Sequence, residues 1–183
     1  MMPFYAYAIL GASWALWLMP FVLAGKPKAR AAQVDRNARW GMLLQAAGYA
    51  VVWQGSFWMR ALPEWRLAIS AALLALAVML SWTSTRALGK QWRLDAGINA
   101  DHELVTSGPY GIVRHPIYTS MFLVLEGTGF MISPAVLQIL ATVIFILGAE
   151  IRVRSEEKLL ASQFGEKFEE YRGRVPAYLP LVR

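Results

Sequence analysis

I-Y-T-S-M-F-L-V-L-E-G-T-G-F-M-I-S-P-A-V-L-Q-I-L-A-T-V-I-F-I-L-G-A-E-I, residues 117–151, is two apolar runs joined by one dipeptide, Ser133-Pro134. Backbone surrounded by lipid must satisfy its own hydrogen bonds, so runs of this kind form helices. A two-residue connection leaves room only for a tight reversal. Proline suits the first turn of the second helix, where an amide hydrogen has no intrahelical partner anyway. The stretch therefore predicts a helical hairpin with arms 117–132 and 135–151. Working outward, 3–24, 40–59 and 67–85 also approach the ~20 apolar residues that cross a bilayer. The expected fold is an all-α integral membrane protein with five transmembrane helices, the last two as the hairpin. Residues 1–183 then form one membrane domain.

Composition agrees. The chain is 57% hydrophobic and 16% charged, with a mean hydropathy of +0.40, against about 45–50% and 25% for soluble domains. Of 18 Lys and Arg, only Arg60 and Arg66 fall outside loop 25–39, segment 86–116 and the stretch after Ile151. Basic loops stay cytoplasmic, so the N-terminus is expected outside, the C-terminus in the cytoplasm, and the cell (inner) membrane is the expected location. The net charge of +6 reads as topogenic residues beside lipid headgroups, and no nucleic-acid partner is expected. Residues 3–24 lack a basic leader, which favours a retained helix over a cleaved signal peptide. With no cysteine, disulfides, thiolate catalysis and Cys-metal sites are excluded.

The polar exception between the apolar runs is H-E-L-V-T-S-G-P-Y-G-I-V-R-H-P-I-Y, His102 to Tyr118. It carries both histidines, and Gly108-Pro109 and His115-Pro116 break it. Irregular backbone near membrane depth persists where it is buried in protein or lines a cavity. Tyr110, His115 and Tyr118 offer ring faces and polar tips, and Arg114 a cation; an interfacial belt capping the fourth helix is the plainer account. Two histidines thirteen residues apart without a carboxylate-rich ligand set predict no metal site. Arg152 and Glu156 are four apart and so share a helix face. Glu126 lies midway along the fourth span, where a carboxylate is costly unless paired; it is expected to face the bundle interior, as a packing hydrogen bond or on the substrate side. After Ile151, Leu160, Phe164, Phe168 and Tyr171 recur at helical spacing, predicting one amphipathic helix ended by Pro176 and Pro180.

L-V-T-S-G-P-Y-G-I-V-R-H-P-I-Y (104–118), then the hairpin, then E-E-K-L-L-A-S-Q-F-G-E-K-F-E-E-Y-R-G-R-V-P (156–176) resembles the isoprenylcysteine carboxyl methyltransferases; phospholipid N-methyltransferases look similar. The resemblance covers roughly 88–181, and the first two spans carry none of it. It implies an S-adenosyl-L-methionine-dependent transfer of a methyl group to a lipophilic acceptor arriving from the bilayer. It implies cofactor binding on the cytoplasmic side, in segment 86–116, with 152–183 closing the pocket. Carried over by motif, the cofactor residues are His102, Glu103, Leu104, Val105, Tyr110, His115, Pro116, Ile117, Tyr118 and Glu156. The catalytic, substrate-side arginine is Arg152; an Arg-x-Arg-x-Glu alignment would move it to Arg154, while the Phe164-Gly165 anchor favours Arg152. Ser120 stands where the family often has glycine.

Two alternatives remain open at this point. NADPH-dependent sterol reductases share R-H-P-x-Y, but usually continue Asn-Tyr-Phe-Gly-Glu where this chain has Ile117-Tyr118-Thr119-Ser120-Met121. A non-enzymatic membrane scaffold or lipid-binding protein would use the segment merely to cap helices.

Overall fold

A computed structural model describes residues 2–25, 33–55, 61–98 and 103–178. Six α-helices follow one another there: α1 Phe4–Ala24, α2 Ala38–Val52, α3 Glu64–Leu88, α4 Pro116–Ile132, α5 Ala135–Phe164 and α6 Glu166–Arg174. Helices α1, α3 and α5 are long and apolar enough to cross a membrane, whereas α4 is a shorter apolar helix of 17 residues. Two two-residue strands, β1 Gln33–Val34 and β2 Gly97–Ile98, pair antiparallel. This bridge ties the α1–α2 connection to the α3–α4 connection, so both loops lie at the same end of the bundle.

The hairpin forms as its punctuation requires: α4 stops at Ile132 and α5 starts at Ala135, with Pro134 extended at the N-cap. The Ser133 hydroxyl reaches the carbonyl of Val52, fastening the turn to the end of α2. Two expectations change in extent. α2 ends at Val52, not at 59: the Gln54 amide side chain takes the Ala50 carbonyl at 2.9 Å and peels the last turn, and 56–60 lie outside the described residues. α5 runs unbroken from the apolar arm to Phe164, because no breaker separates Ile151 from Gly165 and pairs such as Arg154–Glu150 (2.7 Å) support the polar turns. At Gly165 (φ 53°) the chain takes the left-handed conformation that glycine accepts without Cβ strain. The single amphipathic helix expected through Tyr171 is therefore two. The break turns Phe168 and Tyr171 inward, where both are buried.

Helix α2 packs along α5, and α3 along α4 and α1. Glycines set the first approach: a Cβ on Gly41 would lie 2.4 Å from the Gly148 carbonyl oxygen and 2.6 Å from Cγ of Arg152. Close backbone contact through small residues is how helices associate where lipid removes the hydrophobic incentive. Pro20 sits inside α1 and lacks the amide that would bond the Leu16 carbonyl. The Trp82 indole of α3 takes that carbonyl instead, at 2.9 Å.

Candidate functional site

The ends of four helices and the intervening segments enclose a cavity of about 410 Å³. Its lining comes from the C-terminal turns of α1 and α3, from 91–97 and 103–118, from the first turns of α4, from α5 at and beyond Arg152, and from Tyr171 of α6. One half is apolar, built on Trp17, Phe21, Trp92 and Met121; the other carries Glu103, Tyr110, His115, Tyr118, Arg152 and Glu156.

The polar half is held by a chain of contacts around two adjacent glutamates. Pro116 starts α4, so His115 is its N-cap, in extended-side backbone (φ −125°, ψ 60°) that the following proline favours. His115 is 6% exposed. Its Nε2 lies 3.0 Å from Glu157 Oε1 and its Nδ1 3.8 Å from Glu156 Oε2. The Tyr118 hydroxyl donates to Glu156 Oε1, and Arg152 Nη2 lies 3.8 Å from the same oxygen. Arg152 is buried; its Nη2 donates to the Leu94 carbonyl at 2.8 Å, and its guanidinium stands 5.1 Å above the Tyr118 ring. Arg152 and Glu156 thus meet across one helical turn, and both face the cavity rather than solvent.

A second layer closes the site from behind. Arg114 donates from Nε to Glu157 at 2.9 Å and from Nη1 to the carbonyls of Arg172 (3.1 Å) and Val175, while its Nη2 stands 2.8 Å from the same carboxylate. The amides of Arg114 and His115 donate to the carbonyls of Pro176 and Ala177, at 2.8 and 3.0 Å. The Thr119 hydroxyl donates to the Tyr178 carbonyl at 3.1 Å, and the Tyr171 hydroxyl to the Tyr110 carbonyl at 2.7 Å. The stretch after α6 is thereby strapped over the start of α4. Burial works against the Glu157 carboxylate, but the hydrogen bonds and charges of His115 and Arg114 win and hold it below its ordinary range. Burial, reinforced by Glu156, pushes the Tyr110 phenol well up, so it stays a neutral hydrogen-bonding ring.

Of the residues expected to hold a cofactor, Glu103, Leu104, Val105, Tyr110, His115, Ile117, Tyr118 and Glu156 line this one cavity. Pro116 is buried beside it as the first residue of α4. His102 lies outside the described residues. Arg152 lines the cavity, whereas Arg154 points away to an exposed pair with Glu150. Glu126 is not brought to the cavity: its carboxylate receives Gln138 Nε2 at 2.8 Å and the Thr142 hydroxyl, so it fastens α4 to α5. Four contributors carry no motif in the sequence. Glu157 looked like one more charge on a polar helix. The backbone of 175–178 has no side-chain signature. Trp17 and Phe21 lie in a span without a motif, and only their aromatic i,i+4 spacing marked them. Gln91, in the short 3-10 turn that follows α3, also lines the cavity; both polar atoms of its buried amide lack a partner among the described residues.

Comparison with known proteins bears on this geometry. The family model described as phospholipid methyltransferase matches residues 65–167, from α3 to the start of α6. The chain is 38% identical over 84 residues to the protein-S-isoprenylcysteine O-methyltransferase of Schizosaccharomyces pombe, covering 46% of this chain and 36% of that protein. It is 36% identical over 115 residues to the nickel-cobalt-cadmium resistance protein NccN of Alcaligenes xylosoxydans xylosoxydans, covering 62% and 53%. It is 38% identical over 73 residues to the methanethiol S-methyltransferase of Crocosphaera subtropica, covering 40% and 28%. The chain thus spans about half or less of the length of these relatives. The matched region contains the segments that supply most of the polar wall and its supports, and it is on this shared region that the chain belongs to the phospholipid methyltransferase family.

Proposed function

We propose that the protein is an S-adenosyl-L-methionine-dependent membrane methyltransferase acting on a lipophilic acceptor that reaches the cavity from the bilayer. The observation that carries this reading is the meeting of Arg152, Glu156, Tyr118 and His115 where a polar wall joins an apolar one. The residues fit such a cofactor. A carboxylate, Glu156, suits an ammonium or ribose hydroxyls. Tyr110, His115 and Tyr118 present rings to a purine or a sulfonium, which aromatic faces attract. Glu103, Leu104 and Val105 supply the neighbouring wall, and the unpartnered amide of Gln91 leaves hydrogen-bonding capacity nearby.

When bound, S-adenosyl-L-methionine supplies an electrophilic methyl group. The protein's share is positioning, worth up to about 7–11 kcal/mol in well-oriented reactions. Arg152 offers its guanidinium charge to an anionic acceptor head, with Nη2 held by the Leu94 carbonyl and the group set over the Tyr118 ring. The tail strap excludes water from the reacting atoms, which strengthens each of these interactions. Glu126 is left to hairpin packing, and Pro116 to shaping the start of α4.

The same reading places five spans in the membrane, with the shorter α2 and α4 among them, the N-terminus outside and the cavity on the cytoplasmic side. The positions of the basic loops and the β1–β2 bridge at one end support it. Segment 86–116 is then the cofactor segment, and 152–183 its cover. The test is calorimetry in detergent with S-adenosylhomocysteine against NADPH, with Glu156→Gln and Arg152→Lys alongside wild type. Glu156→Gln is expected to weaken S-adenosylhomocysteine; Arg152→Lys is expected to leave that affinity and lower turnover, because a planar fork is lost. NADPH binding without S-adenosylhomocysteine binding would replace the reading by a reductase; binding of neither would return the protein to a scaffold.

A further inference from the structure

Part of the cavity wall belongs to α1: Trp17, Leu18, Phe21 and Val22. Leu18 and Val22 are 44% and 75% exposed, so this edge opens sideways to whatever surrounds the bundle, while Trp17 is 5% exposed and forms its back. The Trp17 indole donates to the Ser120 hydroxyl at 3.2 Å, and Ser120 donates to the Ile117 carbonyl at 2.7 Å. Deeper along the same pair of helices, Trp14 donates to Thr128 at 3.0 Å. The two indoles pack edge to face at 5.7 Å, and Phe21 packs on Trp17 at 5.4 Å. Along α4 the lining includes Ile117, Tyr118 and Met121 and goes no further; Val124 and Leu125 are closed core. The cavity stops where the first indole is pinned.

We propose that Trp17, held by Ser120, is a stop that sets the acceptor's chain length. The acceptor enters sideways past Leu18 and Val22, lays its apolar part on the α1 wall, and cannot pass between α1 and α4. From Trp17 to Val22 the wall is roughly 7–8 Å of helix, which suits a butyl- to hexyl-sized or single-isoprene apolar group. A volume of about 410 Å³ lies near the low end of the ~300–1,000 Å³ of ligand pockets, so little of an apolar chain is held inside beside a cofactor. The inference rests on the methyl-transfer reading only in placing the acceptor's head at Arg152.

The absence of cysteine permits a direct test. Met121→Cys, on the cavity side of the stop, is reacted in phosphatidylcholine vesicles with butyl and hexadecyl methanethiosulfonate. Rates are normalised to Ile146→Cys, whose parent side chain is 51% exposed on α5. The butyl reagent should react at least about tenfold faster than the hexadecyl one. Adding Trp17→Ala, or Trp17→Leu if the first variant does not fold, should bring the two rates within about twofold; Trp17→Phe, which keeps a ring, should preserve the preference. Equal rates with Trp17 intact, or a preference unmoved by Trp17→Ala and Trp17→Leu, overturns the stop. S-adenosylhomocysteine affinity is measured on the same variants and should not change; a loss confined to the Trp17 variants would assign the wall to the cofactor and also overturn the proposal. Failure of the unaltered chain to bind it would overturn the methyl-transfer reading, while the labelling ratio still decides the stop.

Discussion

Replacing Arg114 by alanine should release the strap without unfolding the bundle. The guanidinium joins three separate pieces: the start of α4, the Glu157 carboxylate of α5, and the carbonyls of Arg172 and Val175. The Arg114 and Glu157 side chains are 11% and 16% exposed. Removing one partner of a fully buried pair costs about 3–5 kcal/mol. His115 remains 3.0 Å from Glu157 and some water reaches the pair, so about 2–4 kcal/mol of strap docking is the working figure. At 1.4 kcal/mol per factor of ten, that is about 30- to 700-fold in the open population. Amide hydrogen exchange in detergent reads this population locally. The amides of residues 114 and 115, which donate to the strap's carbonyls, and that of Val175 should lose protection by that factor, while amides in the middle of α3 and α5 keep theirs. Arg114→Lys should fall between, since one ammonium cannot reach all three acceptors. A change under about threefold in the strap, or an equal loss across the whole bundle, would refute the idea that Arg114 fastens the strap in particular.

The Glu157 carboxyl is held below its ordinary range, so the folded state binds fewer protons than the unfolded one there; its contribution is present above the ordinary carboxylate range and is lost as pH falls through the lowered folded value. The thermal midpoint should therefore drop in that acidic window, and Glu157→Gln should flatten the drop. Gly41→Ala should collide with the Gly148 carbonyl and Arg152, costing about 1–3 kcal/mol by overpacking and lowering turnover more than cofactor affinity, read from a denaturation curve and initial rates. Trp82→Phe should cost about 1–3 kcal/mol by orphaning the Leu16 carbonyl, but much less in a Pro20→Ala background, where the helix amide returns; equal costs in both would show no coupling.

Much of this was legible in the sequence because lipid leaves the backbone few options. Ser133-Pro134 marks the hairpin turn to the residue, and α4 starts at Pro116, one residue before the expected arm. Arg152 and Glu156 could be placed on one face because helical spacing alone puts them there. What spacing does not give is how far a helix continues. The charged residues after Ile151 read as the end of a span, yet charge does not break a helix; Gly165 does. The length of α2 was overread because aromatic and aliphatic residues continue past Val52 although the amide of Gln54 competes for the backbone. Glu126 looked functional because an intramembrane carboxylate needs a partner. The partners, Gln138 and Thr142, were already in the other arm of the hairpin, four residues apart and so on one helix face. The strap was invisible because its contribution is mostly backbone carbonyls, which any sequence supplies.

The strap has a consequence for the order of synthesis. The cavity's first wall, at Trp17 to Val22, leaves the ribosome early, and the carbonyls that complete the start of α4 belong to residues 175–178. At about 5–20 residues per second, the two are separated by on the order of 10–30 s. Throughout that interval the apolar half stands open toward lipid with no polar cover behind it. A chain released before Val175 lacks the carbonyls of 175–177 that seat Arg114 and His115, so truncation there is expected to loosen the site while leaving the apolar helices in place.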